Sequence, residues 1–405
     1  MIERVAYLSM HTSPLLLPGR GDAGGMNVYI DELAATMVGR GVEVDVFTRR
    51  ADPSVLSVVE TPAGYRVIHI DAGPAKPIPA AAQSGLVGDF ASGVVSWAGA
   101  AGVSYDLVHS HYWLSGWAGI LAKRGLGIPL ANSFHTLGRV KDAARRIDQP
   151  PESLLRIAAE HEVIALSDCV IASTPFEAED LMLHYGADPG RLCTSPPGID
   201  HDRFRPGDRA IARTRLGLPD QPTVLFVGRI QPLKGLDVAI DAFALVRRGL
   251  PSARFVVVGG PSGDEGPGEL ERLRRRVGAH GLDDAVDWWE PLPHHDLPTV
   301  YQAADVLLFP SRSETFGLVA AEAQACGVPV VASGAGGLAY AVEDAESGYL
   351  VDGWDPEQYA EHVVEVLTDH ELASRLSKGA LEVSERFSWE ATAQRFLELY
   401  AGITS

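Results

Sequence analysis

A chain of 405 residues exceeds what one hydrophobic core usually serves, and domains of roughly 100–200 residues make two the natural count. Hydrophobic residues are 46% and charged residues 21%, the proportions of a globular enzyme and not of a disordered or fibrous chain. The net charge of −19 repels phosphate backbones and argues against a nucleic-acid partner, while leaving room for a small anion met by a few local cations.

Short apolar runs rich in β-branched residues recur, each followed by a helix-length amphipathic stretch. In the first half they are Val5–Met10, Val42–Thr48, Tyr65–Ile70, Leu107–His111, Pro129–Phe134 and Cys169–Ser173. The stretch from Pro196 to Asp208, dense in turn residues and charge, reads as a linker. A second series follows at Thr223–Gly228, Ala253–Gly259, Ala285–Glu290, Val306–Pro310, Pro329–Ser333 and Tyr349–Val351. Alternating strands and helices with near-continuous apolar strands predict an α/β fold of two doubly wound, Rossmann-like halves. Ligands of such folds bind beyond the carboxyl ends of strands, so residues just after strands carry the functional information.

Five segments stand there. Gly21-Asp22-Ala23-Gly24-Gly25-Met26-Asn27 precedes a helical stretch, and its paired glycines allow close backbone approach to an anion; the alternative is a flexible loop. Asn132-Ser133-Phe134-His135-Thr136-Leu137-Gly138 places His135 at a strand end, as a cleft residue or as a structural histidine. Gly228-Arg229-Ile230-Gln231-Pro232-Leu233-Lys234-Gly235 offers a guanidinium fork and an ammonium to phosphate, or two solvated charges. In Ser313-Glu314-Thr315-Phe316-Gly317-Leu318-Val319-Ala320-Ala321-Glu322, Glu314 sits at a helix entrance and Glu322 about two turns on. The two carboxylates then share a face without touching, each able to take a diol, with the N–H groups of Thr315 to Leu318 between them. The plainer reading is that Glu314 is a helix N-terminal acid. Gly334-Ala335-Gly336-Gly337 approaches a ligand or forms a turn.

Cys169, Cys193 and Cys326 are far apart, odd in number and without a C-x-x-C pair. They indicate neither a disulfide framework nor a zinc site and fit a reducing cytoplasm. No run approaches the ~20 apolar residues of a membrane helix, and Leu15-Leu16-Leu17 is too short for a signal core. A cytoplasmic protein without a membrane span is expected.

With these motifs quoted, the chain resembles the GT-B glycosyltransferases of family 4, over nearly its whole length. Met10-His11-Thr12-Ser13-Pro14, Gly24-Gly25-Met26-Asn27-Val28-Tyr29, Ser110-His111-Tyr112-Trp113-Leu114-Ser115-Gly116 and Gly260-Pro261-Ser262-Gly263 resemble the branch that glycosylates inositol phosphate in mycothiol biosynthesis. The resemblance implies an acceptor domain over residues 1–200, a nucleotide-sugar domain over 201–386 and a terminal helix, 387–405, that returns to the first. It implies that Arg229 and Lys234 bind the diphosphate, with the backbone of Gly24 and Gly25 closing on it. Glu322 takes the ribose, Glu314 the 3-hydroxyl of the donor sugar, and Thr315, Phe316, Gly317 and Leu318 complete the donor site. His135 lies beside the reacting carbon.

For the acceptor it implies Tyr112, Thr136 and Arg156 around the phosphate and Asn27 on a hydroxyl. Ala80 stands where the family has Lys, with Lys76 four residues upstream as a substitute, and Phe134 replaces a smaller residue. The implied reaction is retaining transfer of N-acetylglucosamine or a related hexose from a UDP-sugar to an inositol-phosphate-like polyol, with no metal or other cofactor. A homodimer through the first domain is a further expectation. The competing readings are an unphosphorylated aminocyclitol acceptor, a nucleotide-sugar epimerase, a sugar-binding module and an inactive scaffold.

Overall fold

The computed structural model describes residues 2–263 and 266–405. The first lobe holds eight strands: β1 Arg4–Leu8, β2 Glu43–Arg49, β3 Val58–Glu60, β4 Arg66–Ile70, β5 Leu107–His111, β6 Leu130–Ser133, β7 Cys169–Ala172 and β8 Leu192–Thr194. Their order is β3-β4-β2-β1-β5-β6-β7-β8, parallel throughout except for the antiparallel β3. The second lobe has β9 Thr223–Val227, β10 Arg254–Val258, β11 Val286–Trp289, β12 Val306–Phe309, β13 Val330–Ser333 and β14 Gly348–Val351 in the order β11-β10-β9-β12-β13-β14, all parallel. Every strand expected from the sequence is present. The two it missed, β3 and β8, are three-residue edge strands that bury little.

Central strands carry apolar side chains on both faces, because helices cover both; β9 is buried at every position. In each sheet the strand order reverses beside the first strand, between β1 and β5 and between β9 and β12. Those switch points open crevices at the strands' carboxyl ends, and the two crevices face each other.

The segment expected to be a linker is folded. Ile199 and Phe204 are buried, Ile199 bridges to Ser388, and the ring of Phe204 packs 5.0 Å from His294. Helix Trp389–Thr404 returns to the first lobe, where Trp389, Ala393, Phe396 and Tyr400 join Val5, Tyr7, Tyr29 and Leu33 in one core. Among the described residues, no helix is long and apolar enough to cross a membrane.

Candidate active site

A cavity of about 760 Å³ lies between the lobes, within the size range of ligand pockets. The first lobe contributes Gly24, Gly25, Tyr112, His135 and Thr136; the second contributes Arg229, Lys234, Glu314, Thr315, Phe316, Gly317, Leu318 and Glu322. Most residues singled out in the sequence therefore converge, and they do so at the two switch points.

Helix Gly25–Gly39 starts at the cavity with Gly24 as its cap. A side chain at Gly24 would press on Arg229, since a Cβ there would lie 2.9 Å from its Nε. Its N–H is taken, donating to Oδ1 of Asn27 at 2.8 Å. This corrects the expectation that both glycine amides face the ligand. No described protein acceptor lies on the N–H groups of Gly25 and Met26. Asn27 is corrected too. It is 1% exposed, its Nδ2 donates to Oγ1 of Thr12 and the carbonyl of Ser13, and it holds the glycine turn instead of lining the cavity.

Arg229 donates to Oγ of Ser262 at 3.3 Å and has no ion pair among the described residues. Burial pulls its pKa down, with Asp22 and Glu314 pulling back, so the guanidinium is a desolvated cation that an anion would compensate. Lys234 pairs with Glu314, which also accepts from Oγ of Ser311 at 2.9 Å. Its ammonium lies 5.7 Å from the ring centre of Phe309.

Glu314 is not on a helix. The helix runs Leu318–Ala325 behind Gly317 at φ 102°, so Glu314 sits on the preceding loop. The shared helical face read from the eight-residue spacing is thus replaced by a loop and a helix meeting at the cavity. Backbone N–H groups of Thr315 to Leu318 have no described protein acceptor. Gly336 and Gly337 let a second turn press on this loop; a Cβ at Gly337 would lie 2.2 Å from the carbonyl oxygen of Thr315. Glu322 is buried, with one carboxylate oxygen held by Nε2 of His294 at 2.7 Å and the other by Tyr301 OH at 2.8 Å. Each oxygen keeps a lone pair for a further donor.

His135 and Tyr112 have left-handed backbones, φ 59° and 77°, a strained conformation for such residues. Nδ1 of His111 lies 3.0 Å from Nε2 of His135. Nε2 of His111 has no partner among the described residues, so the economical tautomer puts its proton on Nδ1, donating to His135. Burial pushes the pKa of His135 down to about 3 and, with the Arg229 charge adding, that of His11 also to about 3. Both imidazoles are neutral at pH 7.

Of the acceptor residues, Tyr112 and Thr136 line the cavity. Arg156 lies behind them, its Nη2 donating to the carbonyl and hydroxyl of Thr136 at 3.1 Å each. Ala80 lines the wall, but Lys76 is exposed and outside the cavity, so the structure does not bring that substitute in. Phe134 points into the core with Leu137. Sequence reasoning missed His11, Lys141, Ser262 and His294. His11 and Ser262 lie in motifs already quoted, and His294 follows β11, a strand end that carried a usable signal.

Two facing Rossmann-like sheets, with Arg229, Lys234, Glu314 and Glu322 on the second lobe's side of the cleft between them, define a GT-B glycosyltransferase. A model described as Glycosyltransferase Family 4 matches residues 23–203, and one described as Glycosyl transferases group 1 matches 208–383. The chain is 47% identical to D-inositol 3-phosphate glycosyltransferase 2 of Catenulispora acidiphila, over 98% of this chain and 95% of that relative. It is 45% identical to the D-inositol 3-phosphate glycosyltransferase of Thermomonospora curvata, over 99% and 96%. A sucrose-phosphate synthase structure from Thermosynechococcus elongatus superposes with a TM-score of 0.92 at 33% identity, covering 99% of this chain and 98% of that one. The chain belongs to glycosyltransferase family 4, with sequence similarity along its whole length to the D-inositol 3-phosphate glycosyltransferases.

Proposed function

We propose that the chain transfers N-acetylglucosamine or a related hexose from a UDP-sugar to a hydroxyl of an inositol phosphate, with retention and without a metal ion. The observation that carries this is Arg229: a desolvated cavity guanidinium without an ion pair among the described residues, beside Lys234 and the N–H groups of Gly25 and Met26. Such a group fits a diphosphate and supplies the neutralisation that a metal supplies elsewhere. Glu322, on the second lobe, suits the ribose, and Glu314 on its loop suits a sugar hydroxyl. The names of the relatives, an inositol phosphate glycosyltransferase and a sucrose-phosphate synthase, support a phosphorylated partner in the reaction.

In this reading the sugar–phosphate bond loosens and negative charge gathers on the leaving diphosphate, where Arg229 and Lys234 meet it. The acceptor hydroxyl attacks from the same face and passes its proton to the leaving phosphate. Neutral His135 borders the reacting carbon, and no protein nucleophile is invoked. Contact between the lobes keeps water from the donor.

A donor-by-acceptor panel read by mass spectrometry tests this, with NMR for the anomeric configuration and chelator for metal independence. Inverted product, or loss of turnover in chelator, would overturn those parts. Lys234→Ala is expected to lower turnover by orders of magnitude. A second reading, an unphosphorylated aminocyclitol acceptor, draws on Ala80 in the cavity wall and Lys76 outside it. Faster turnover of free inositol or an aminocyclitol would favour it. Epimerised sugar from donor alone would favour an epimerase.

A further inference from the structure

The stretch between helices Gly138–Ala144 and Leu154–Leu166 carries Glu152, which does not itself line the cavity but sits against residues that do. Lys141, on the first helix, lines the cavity and is ion-paired with Oε1 of Glu152. The same oxygen lies 3.2 Å from Nη1 of Arg156. The Arg156 guanidinium lies 5.1 Å from the ring centre of Tyr112 and also holds Thr136. One carboxylate oxygen thus bridges an ammonium and a guanidinium next to two cavity residues. The same two donors suit a phosphate oxygen as well as a carboxylate oxygen.

Formal charges sharpen the point. Arg156 is also paired with Glu160 at 2.8 Å, so two cations face two carboxylates and nothing is left for an anionic acceptor while both stay. The carboxylates are unequal. Glu160 is fully buried and accepts from the Gly138 N–H and from Tyr185 OH. The Glu152 side chain is 22% exposed, on a stretch without regular structure.

We propose that Glu152 is a resident anion occupying the place of the acceptor's phosphate, and that a phosphorylated acceptor displaces it to bind Lys141 and Arg156. Lys141 then supplies the cation that Ala80 lacks. Burial and the nearby Arg156 charge lower the Lys141 pKa, which a dianion would reverse. The inference rests on the acceptor reading above. It makes the enzyme selective by exchange, because a free polyol gains neither cation.

The test uses the full-length chain with excess UDP to fill the diphosphate position, and titrates inorganic phosphate by calorimetry. Glu152→Gln is expected to bind phosphate about tenfold more tightly than wild type, and Lys141→Met about tenfold more weakly, with Lys141→Arg restoring most of it. The ratio of kcat/KM for inositol 3-phosphate over free inositol should rise in Glu152→Gln and fall in Lys141→Met. Equal phosphate affinity in wild type and both variants would overturn the proposal. So would variants that change both acceptors by one factor. If wild type turns over neither acceptor, the acceptor reading fails, and the phosphate titration alone decides whether Glu152 is a resident anion.

Discussion

The Thr315 hydroxyl donates a 2.6 Å hydrogen bond to the backbone carbonyl of His135, tying the loop that carries Glu314 to the loop that carries the imidazole. The carbonyl of Thr315 in turn accepts from Oγ1 of Thr174 in the first lobe. The two lobes' halves of the cavity are thereby set in register, which the proposed transfer requires because small misplacements are costly. A net hydrogen bond is worth about 1 kcal/mol, or roughly fivefold in rate. Thr315→Val should lower kcat by about that factor or more, while Thr315→Ser keeps most of it. Equal kcat in the valine and serine variants would show that the hydroxyl has no such role.

Gly24 yields a second prediction. A methyl group there must push the Arg229 side chain, since a Cβ would approach its Nε to 2.9 Å and its Cδ to 3.2 Å. The backbone of Gly24 lies at φ −169°, an extended conformation open to any residue, so the helix itself should tolerate alanine. Gly24→Ala is therefore expected to raise the donor KM about tenfold or more through the displaced guanidinium, with the melting temperature nearly unchanged. A large fall in melting temperature would mean that the turn, not Arg229, needs the glycine.

The α/β architecture was legible because buried parallel strands leave nearly continuous apolar runs; Val306–Phe309 and Arg254–Val258 were plain in the sequence. Arg229, Lys234 and Glu314 were legible as cavity residues because strand ends are where crevices open in such folds. What could not be read was orientation. Asn27 looks like a polar cavity residue in sequence, but its amide is used up by Gly24, Thr12 and Ser13. Glu314 and Glu322 are spaced like helix neighbours, yet the helix begins only after Gly317, which lies between them. Glu152 and Lys141, eleven residues apart across an irregular stretch, leave no periodic signature at all.

The buried imidazoles set a pH dependence. His11 and His135 titrate near 3, and burial also holds His109 and His111 well below the ordinary histidine range. In the unfolded chain each takes its proton near pH 6.5. Between about pH 6.5 and 3 the unfolded state binds more protons, so stability is lost as pH falls through that window. Glu177, pushed up to about 7 by burial, opposes this, since its folded form holds a proton that the unfolded form releases above about pH 4.3. The four fully buried imidazoles, with His69 beside them, outweigh Glu177 and the smaller opposing shifts of Glu32, Asp180 and His294, and leave a net loss on acidification. Urea unfolding at pH 7 and pH 5 should show lower stability at pH 5, and His135→Gln should shrink the difference. A flat profile would contradict the neutral assignment.

Glu322 meets the last prediction through the groups that hold it. His294 and Tyr301 each donate to one of its oxygens, fixing the carboxylate in a single orientation at the cavity. His294 is itself placed by Arg203, whose Nη1 lies 3.1 Å away and pairs with Glu32 on the helix that begins at Gly25. If Glu322 binds a ribose diol, loss of His294 weakens that contact indirectly, making His294 a positioning residue. His294→Ala should raise the donor KM several-fold while changing the acceptor KM little. A donor lacking one ribose hydroxyl separates this from a general packing defect. Wild type should lose affinity for the deoxy donor by a clear factor, and His294→Ala by a smaller one, because the contact is already impaired. Equal losses in both proteins would mean that His294 does not act through the ribose site.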